Sequence, residues 1–146
     1  MAARPGQGKV LVETDFLFGL RSGDRNHEGV ARALSMSREG SLEVSVLSSA
    51  VVELRAALYS KGFGPRQVED AVTMMDAALV GSGVEDYVES RLSDVVLSEI
   101  MRAQFSELTF FDSLHAAASK RTGVPLLSSD PIYRRIGVDS MSYDEL

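Results

Sequence analysis

Acidic residues follow two short apolar runs that are typical of buried parallel strands. The first run, KVLV, leads directly into Glu13, and Asp15 stands two residues further on. The second, VPLL, is followed by two serines and then Asp130. Ligands of parallel α/β sheets bind beyond the carboxyl ends of the strands, so we expect these acids to meet at one edge of a sheet. Each also has a purely structural interpretation, since aspartate commonly caps the helix that follows it.

Two further acids lie in predicted helices. Glu53 belongs to SSAVVELRAAL, where only serine and alanine stand three and four positions away, so no helical ion pair competes for it. Asp112 lies in the first turn of TFFDSLHAAASK, three residues after the potential cap Thr109, and His115 follows one turn later. An exposed glutamate and a capping box are the structural alternatives for these two positions.

The residue types favour hard divalent cations. The chain has no cysteine and two histidines, so a metal must be held mainly by oxygen ligands, which suit Mg²⁺, Mn²⁺ or Ca²⁺. Clustered carboxylates raise one another's pKa unless a cation is bound. Phosphodiester hydrolysis needs such a cation to neutralise phosphate charge and activate water, and we expect Glu53 or Asp112 to position that water.

Short apolar runs alternate with amphipathic segments along the chain. This alternation predicts a three-layer α/β/α fold with a small, mainly parallel sheet. The helical periodicity places Val51, Leu54, Val68 and Val72 towards the core. Helices are predicted from about Phe16 and over 27–36, 47–59, 66–80, 91–105, 110–121 and 132–136, and strands over 9–13, 84–88, 124–127 and 138–141.

Length and charge narrow the class of protein. A chain of 146 residues suits one domain, here predicted over 9–146 with a disordered arm over 1–8. The net charge of −6 argues against broad, sequence-independent binding to nucleic acid, although bound divalent cations would reverse the charge locally. No apolar run approaches the ~20 residues that span a bilayer, and the polar N-terminus is unlike a signal peptide. We therefore expect a cytoplasmic protein without a membrane segment.

These motifs together resemble the PIN domain family, many of whose members are toxin ribonucleases of VapBC-type pairs. The resemblance runs from about Lys9 to Val138. Asp112-Ser-Leu-His-Ala-Ala is very close to the family's Asp-Ala-Leu-His-Ala-Ala, and Leu-Leu-Ser-Ser-Asp130 is close to its Leu-Leu-Thr-Asn-Asp. The resemblance implies a PIN-like fold, Mg²⁺ or Mn²⁺, RNA as substrate and, for a toxin, an antitoxin partner. It carries the four metal-binding acids onto Glu13, Glu53, Asp112 and Asp130.

One position departs from the family pattern. The first acid of the family is normally an aspartate directly after the strand, and here that position is Glu13. We expect Glu13 and Asp15 to act together as metal ligands with Asp112 and Asp130. The resemblance also assigns supporting roles to Thr14, His115 and Ser128.

Two alternatives remain open at this point. A PIN-like module that binds RNA or a protein partner without catalysis would keep the fold, and the substitution at Glu13 and the acidic surface favour it. A phosphoacceptor receiver or an Asp-x-Asp phosphatase fits less well, because Lys120 is the only late lysine and lies inside a predicted helix. The apolar helix faces around Met74 and Ile100 suit plain core packing, a homodimer or an antitoxin groove.

Overall fold

A computed structural model describes residues 8–146. The predicted arm over 1–8 falls on residues 1–7, which lie outside the described residues, and on Gly8, which already begins a strand. The elements in chain order are β1 Gly8–Val12, α1 Thr14–Gly19, α2 His27–Glu39, β2 Leu42–Leu47, α3 Ser48–Ser60, α4 Pro65–Gly81, β3 Asp86–Val88, α5 Leu92–Gln104, α6 Phe110–Thr122, β4 Leu126–Leu127, α7 Ile132–Arg135, β5 Ser140–Met141 and a final 3-10 turn Tyr143–Glu145.

The strands form a parallel sheet in the order β3-β2-β1-β4-β5, with helices on both sides, which confirms the predicted α/β/α class. Val10 pairs with Val44 and Val12 with Val46 in β1 and β2, while Leu11 pairs with Leu126 in β4. Because β1 is the central strand and is covered on both faces, its apolar run is continuous rather than alternating. Residues that follow β1 therefore lie in the middle of the sheet's carboxyl edge.

Strand β2 is absent from the sequence prediction. Its residues LEVSVL run directly into α3 with no loop between them, so Leu47 was assigned to the helix. In the structure Leu47 pairs with Val88 of β3 and is fully buried. The remaining predicted elements are found with their ends shifted, the largest change in a helix being the extension of α2 to Glu39.

Two side chains that the helical periodicity placed in the core lie at the surface instead. Val51 of α3 and Val72 of α4 are 45% and 37% exposed, whereas Leu54 and Val68 are buried as expected. Val51 and Val72 line a groove between α3 and α4 that is continuous with Tyr87 of β3. The helices are apolar over a wider arc than the core covers, and the periodicity alone does not reveal where the core ends.

The C-terminal turn packs tightly on α2. A Cβ atom at Gly29 would lie 2.4 Å from the Cβ atom of Tyr143, so only glycine permits this approach. The contact holds Tyr143 over the carboxyl edge of the sheet, where it becomes part of the site described below.

Candidate metal centre

The sheet topology brings the predicted acids to one cleft. Glu13 follows β1 and caps α1, Glu53 lies on α3, Asp112 lies in the first turn of α6, and Asp130 follows β4. All four line a cleft of about 510 Å³, together with Asp15. At this cleft Glu13, Glu53, Asp112 and the buried His115 behind them each offer a ligand atom, and these atoms lie within 4.8 Å of one another. Glu13 is the one member of this group that follows a strand, since the other three lie on helices.

Glu13 is the most deeply buried of these acids, with 5% of its surface exposed. Its Oε1 accepts a hydrogen bond from the backbone N–H of Asp15 at 2.7 Å, which makes Glu13 the N-cap of α1. Helix α1 therefore begins at Thr14, two residues before the predicted start at about Phe16. Burial, together with the neighbouring Asp15, raises the pKa of Glu13 well above the ordinary value.

Tyr133 joins two of the acids. Its hydroxyl lies 3.1 Å from Glu13 Oε2 and 3.2 Å from Asp112 Oδ1, and its ring is fully buried. A phenol has one proton, so it donates to one carboxylate at a time, and the second contact needs a proton on a carboxyl group. Burial raises the pKa values of both Glu13 and Asp112, so one shared proton satisfies the group when no cation is bound.

Glu53 is held by His115 and Thr14. The His115 Nε2 atom lies 2.9 Å from Glu53 Oε1, and the Thr14 hydroxyl donates to the same oxygen. Burial raises the pKa of Glu53, but the two hydrogen bonds outweigh it and leave the pKa below its usual value. Among the described residues, Glu53 Oε2 has no hydrogen-bond partner. Glu53 is therefore an ionised carboxylate with one oxygen free.

His115 is itself completely buried. Its Nδ1 lies 2.8 Å from the Ser49 hydroxyl and its Nε2 faces Glu53, so both ring nitrogens have partners. An Nε2–H that donates to Glu53 leaves Nδ1 to accept from Ser49. This arrangement fits the supporting role predicted for His115, and it orients Glu53 from behind.

Asp15 occupies a different position from Glu13. Its Oδ2 accepts from the Ser129 N–H at 2.7 Å, the Ser129 hydroxyl at 2.8 Å and the Ser128 hydroxyl at 3.2 Å. Its Oδ1 accepts from the Tyr143 hydroxyl at 2.9 Å. Asp15 thus ties α1 to the segment after β4 and to the C-terminal turn, and it lies outside the group of four ligand atoms.

Asp130 lies at the exposed rim of the cleft. Its Oδ1 accepts from the Ile132 N–H at 2.9 Å, and its own N–H donates to the Ser128 hydroxyl. The prediction that Asp130 is the N-cap of α7, with Pro131 as the first helical residue, is wrong, because Pro131 itself is the N-cap. Ser128 bridges Asp130 and Asp15. Asp130 and Asp112 line the same cleft, and burial together with the charge of Asp130 raises the pKa of Asp112.

Two important residues were missed by the sequence reasoning. Tyr133 and Tyr143 approach the acids from positions 120 and 128 residues away in the chain, through hydroxyl contacts to Glu13 and Asp15 respectively. For Tyr133 the sequence held a weak signal, since it stands three residues after Asp130 in the helix that β4 leads into. For Tyr143 the sequence pattern offered none.

The donor set fits a hard divalent cation. Three carboxylates lie close together, with His115 donating to one of them from behind, and burial raises the pKa of Glu13 and of Asp112. Among the described residues, no lysine or arginine forms an ion pair with Glu13, Glu53, Asp112 or Asp130. Uncompensated carboxylates in a half-buried cleft are the environment that Mg²⁺ or Mn²⁺ stabilises.

The fold is the PIN-like fold, in agreement with the resemblance carried by the motifs. The chain is similar to VapBC2 from Rickettsia felis, solved bound to a DNA fragment from its promoter, with a TM-score of 0.68 and 13% identity over 92% of this chain and 98% of that one. It is similar to FitAcB from Neisseria gonorrhoeae, with a TM-score of 0.68 and 16% identity over 94% and 99% of the two chains.

A third similar structure is VapC20 from Mycobacterium tuberculosis, a toxin that cleaves the sarcin-ricin loop. Its TM-score is 0.62, with 19% identity over 88% of this chain and 95% of that one. No protein-family model matches the chain, and no curated protein matches it by sequence. At these identities the similarity establishes the fold, and the chemistry must be argued from the cleft.

Proposed function

We propose that the protein is a metal-dependent ribonuclease that hydrolyses RNA phosphodiester bonds, and that it is the toxin of a toxin–antitoxin pair. The observation that carries the proposal is the convergence of Glu13, Glu53, Asp112 and His115 within 4.8 Å at the carboxyl edge of the sheet. The solved toxin that cleaves the sarcin-ricin loop has the same fold and supports RNA as the substrate.

The surroundings of each acid determine its proposed role. Glu13, Asp112 and Asp130 would hold Mg²⁺ or Mn²⁺, with Tyr133 keeping the first two in place. A bound ion of this kind would neutralise charge on the non-bridging phosphate oxygens and lower the pKa of water. Glu53 Oε2 is available to accept a hydrogen bond from the attacking water, because its other oxygen is taken by His115 and Thr14. Asp15 keeps the segment after β4 in register and acts as a positioning residue.

The decisive experiment is the Asp112→Asn substitution. It keeps the side-chain size and the N–H that bonds to Thr109, so the protein should remain folded while Mn²⁺-dependent cleavage of a fluorogenic single-stranded RNA is lost. Asp139→Asn is the matched control, because exposed Asp139 lies at the opposite edge of the sheet, where its carbonyl bonds to the start of β4. Full activity of Asp112→Asn in a Mn²⁺-replete assay would refute the proposal.

The non-catalytic alternative is distinguished by metal binding. Both oxygens of Glu13 have partners, and this favours a closed acidic cluster that serves binding alone. Isothermal titration calorimetry of the protein with MnCl₂ distinguishes the nuclease from the non-catalytic module. Binding that is weakened by Asp112→Asn supports the nuclease, and no heat of binding at millimolar Mn²⁺ supports the non-catalytic module.

Partners are proposed from the apolar surface. Met75, Leu79 and Met101 pack in the core, but Met74 and Ile100 on the same helices are about half exposed. We propose that a homodimer covers part of this surface and that an antitoxin covers another part. The complexes VapBC2 and FitAcB are solved structures of the same fold and support a protein partner. Within residues 8–146, no helix is long and apolar enough to cross a membrane.

A further inference from the structure

A second hollow lies beside the acidic cleft. It has a volume of about 640 Å³ and is lined by residues at the end of α1, in the loop that follows it, at the start of α2, just after α3 and on α4, among them Phe18, Arg21, Asp24, His27, Lys61 and Met74. Phe18 also lines the acidic cleft, so the two depressions share a wall. We call this depression the basic-aromatic hollow.

Helix α1 connects the hollow to the metal centre. Thr14, which donates to Glu53, and Phe18 are four residues apart and therefore lie on the same face of α1, about 6 Å apart along its axis. That distance is one helical turn, which is comparable to the reach of one nucleotide of a single strand. A strand whose scissile phosphate lies at Glu53 would therefore place a neighbouring nucleotide against Phe18.

The hollow combines cations with the phenyl ring of Phe18. The Lys61 Nζ atom lies 5.1 Å from the centre of that ring. Arg21 also lines the hollow, and its Cζ atom lies 5.9 Å from the centre of the ring of Phe63, which is outside the lining. Among the described residues, neither Lys61 nor Arg21 forms an ion pair, and the same holds for Arg25, which lines the acidic cleft. Asp24 also lines the hollow, and its Oδ1 accepts from the Asn26 N–H. Lys61 and Arg21 together outweigh the single charge of Asp24, so the hollow is net positive beside an acidic cleft.

This composition suits RNA better than a protein segment. Flat rings on which bases stack, flanked by cations that meet phosphates, are the usual means of binding single-stranded nucleic acid. A protein helix would find a more apolar surface in the groove between α3 and α4, which Val51, Val72 and Met75 line. The two depressions thus differ in chemistry as well as in place.

We propose that the basic-aromatic hollow is a nucleotide subsite of the single-stranded RNA substrate, in which a base stacks on Phe18 and an adjacent phosphate is bound by Lys61 and Arg21. The proposal rests on the proposed ribonuclease function, because the position of the subsite is measured from the acidic cleft. It adds a residue set that determines how the substrate is held and in which direction the strand runs.

The test measures RNA binding separately from cleavage. A fluorescein-labelled, single-stranded decaribonucleotide of mixed sequence is titrated with the Asp112→Asn protein, and anisotropy is followed at several salt concentrations. Lys61→Gln or Arg21→Gln should each make the negative slope of log K, the association constant for RNA, against log salt less steep by about 0.7. That change is expected for one lost phosphate contact. Phe18→Leu keeps an apolar side chain without the flat ring and should weaken binding about tenfold.

The matched control is Lys120→Gln, the same change at an exposed lysine of α6 that lines neither depression. Thermal unfolding of each variant confirms that it is folded. With Asp112 restored, Lys61→Gln should raise KM for the decaribonucleotide by a larger factor than it changes kcat.

The outcomes separate this inference from the proposed function. If Lys61→Gln, Arg21→Gln and Phe18→Leu all bind RNA as the Lys120→Gln control does, the subsite is refuted even when metal-dependent cleavage stands. If those variants instead weaken binding of a purified antitoxin and leave RNA binding intact, the hollow is a protein-docking site and the proposal is overturned. RNA binding that depends on Lys61 in a protein without nuclease activity would support the subsite and refute the proposed catalysis.

Discussion

Replacing Asp15 tests whether it is a metal ligand or a structural tie. The sequence placed Asp15 among the ligands, whereas its oxygens accept four hydrogen bonds, from the Ser128 and Ser129 hydroxyls, the Ser129 N–H and the Tyr143 hydroxyl. Asp15→Ala removes the acceptor for all of them. We expect the loss to appear in stability, while metal affinity is retained.

The free-energy cost of Asp15→Ala follows from the polar groups that the substitution leaves without a hydrogen-bond partner. Tyr143 is 6% exposed, and its hydroxyl and the Ser129 N–H would lose a charged acceptor, at about 1.5–3 kcal/mol each. The serine hydroxyls can turn to other partners, so we expect a total of about 3–6 kcal/mol. For a protein of this size that corresponds to a fall in Tm of roughly 6–24 °C.

The milder variant Asp15→Asn serves as a matched control. Its amide can turn so that the oxygen accepts from Ser129 and the NH₂ group donates to Tyr143, which keeps the contacts and removes only the charge. We expect it to cost about 1–2 kcal/mol. Urea unfolding monitored by circular dichroism gives the free energy of unfolding for both variants.

Metal affinity distinguishes a positioning residue from a metal ligand. Titration with MnCl₂ below the unfolding temperature should give a dissociation constant for Asp15→Asn within about threefold of the wild-type value, a difference below 1 kcal/mol. A variant with wild-type stability and an affinity reduced by an order of magnitude or more would refute the assignment of Asp15 as a positioning residue. Asp15 would then be a ligand, as the sequence reasoning expected.

Three further predictions concern Glu13, Tyr133 and the exposed face of α5. Because burial raises the folded-state pKa of Glu13 above its ordinary 4.5, the native protein binds a proton more tightly than the unfolded chain, and the resulting stability is lost as pH rises through the raised pKa. In EDTA, Glu13→Gln should therefore have a higher Tm than the wild type, and the difference in Tm should grow from pH 4.5 upward. A difference in Tm that shrinks as the pH rises contradicts this prediction. Tyr133→Phe removes the hydroxyl between Glu13 and Asp112, so it should cost about 1–2 kcal/mol in urea unfolding and shift the pH profile of cleavage, and an unshifted profile would show that the hydroxyl is only structural. Val96→Lys and Ile100→Lys add charge to side chains that are already more than half exposed, so they should leave monomer stability nearly unchanged while sedimentation shows a dimer becoming a monomer; a wild-type protein that already sediments as a monomer contradicts the dimer.

The order of elements was predictable because local patterns determine it. The apolar run before Glu13, the cap at Thr109 and the glycine at position 123, which ends α6 with a positive φ, are each recorded within a few neighbouring residues. Parallel strands then oblige the acids that follow them to meet at one edge. Strand β2 escaped prediction because no turn separates it from α3, so the change in periodicity fell within one apolar run.

The roles within the acidic cluster were decided by contacts between distant parts of the chain. Glu13 and Asp15 both carry a carboxyl group and stand two residues apart, and no local pattern says which one joins the group of ligand atoms. In the structure Ser128, Ser129 and Tyr143 take up the oxygens of Asp15, while Tyr133 reaches Glu13. The sequence by itself determined that carboxylates would gather at the end of β1. Only the tertiary structure decided which carboxylate is buried among other acids and which is held by hydroxyl groups, because those partners come from more than 100 residues away.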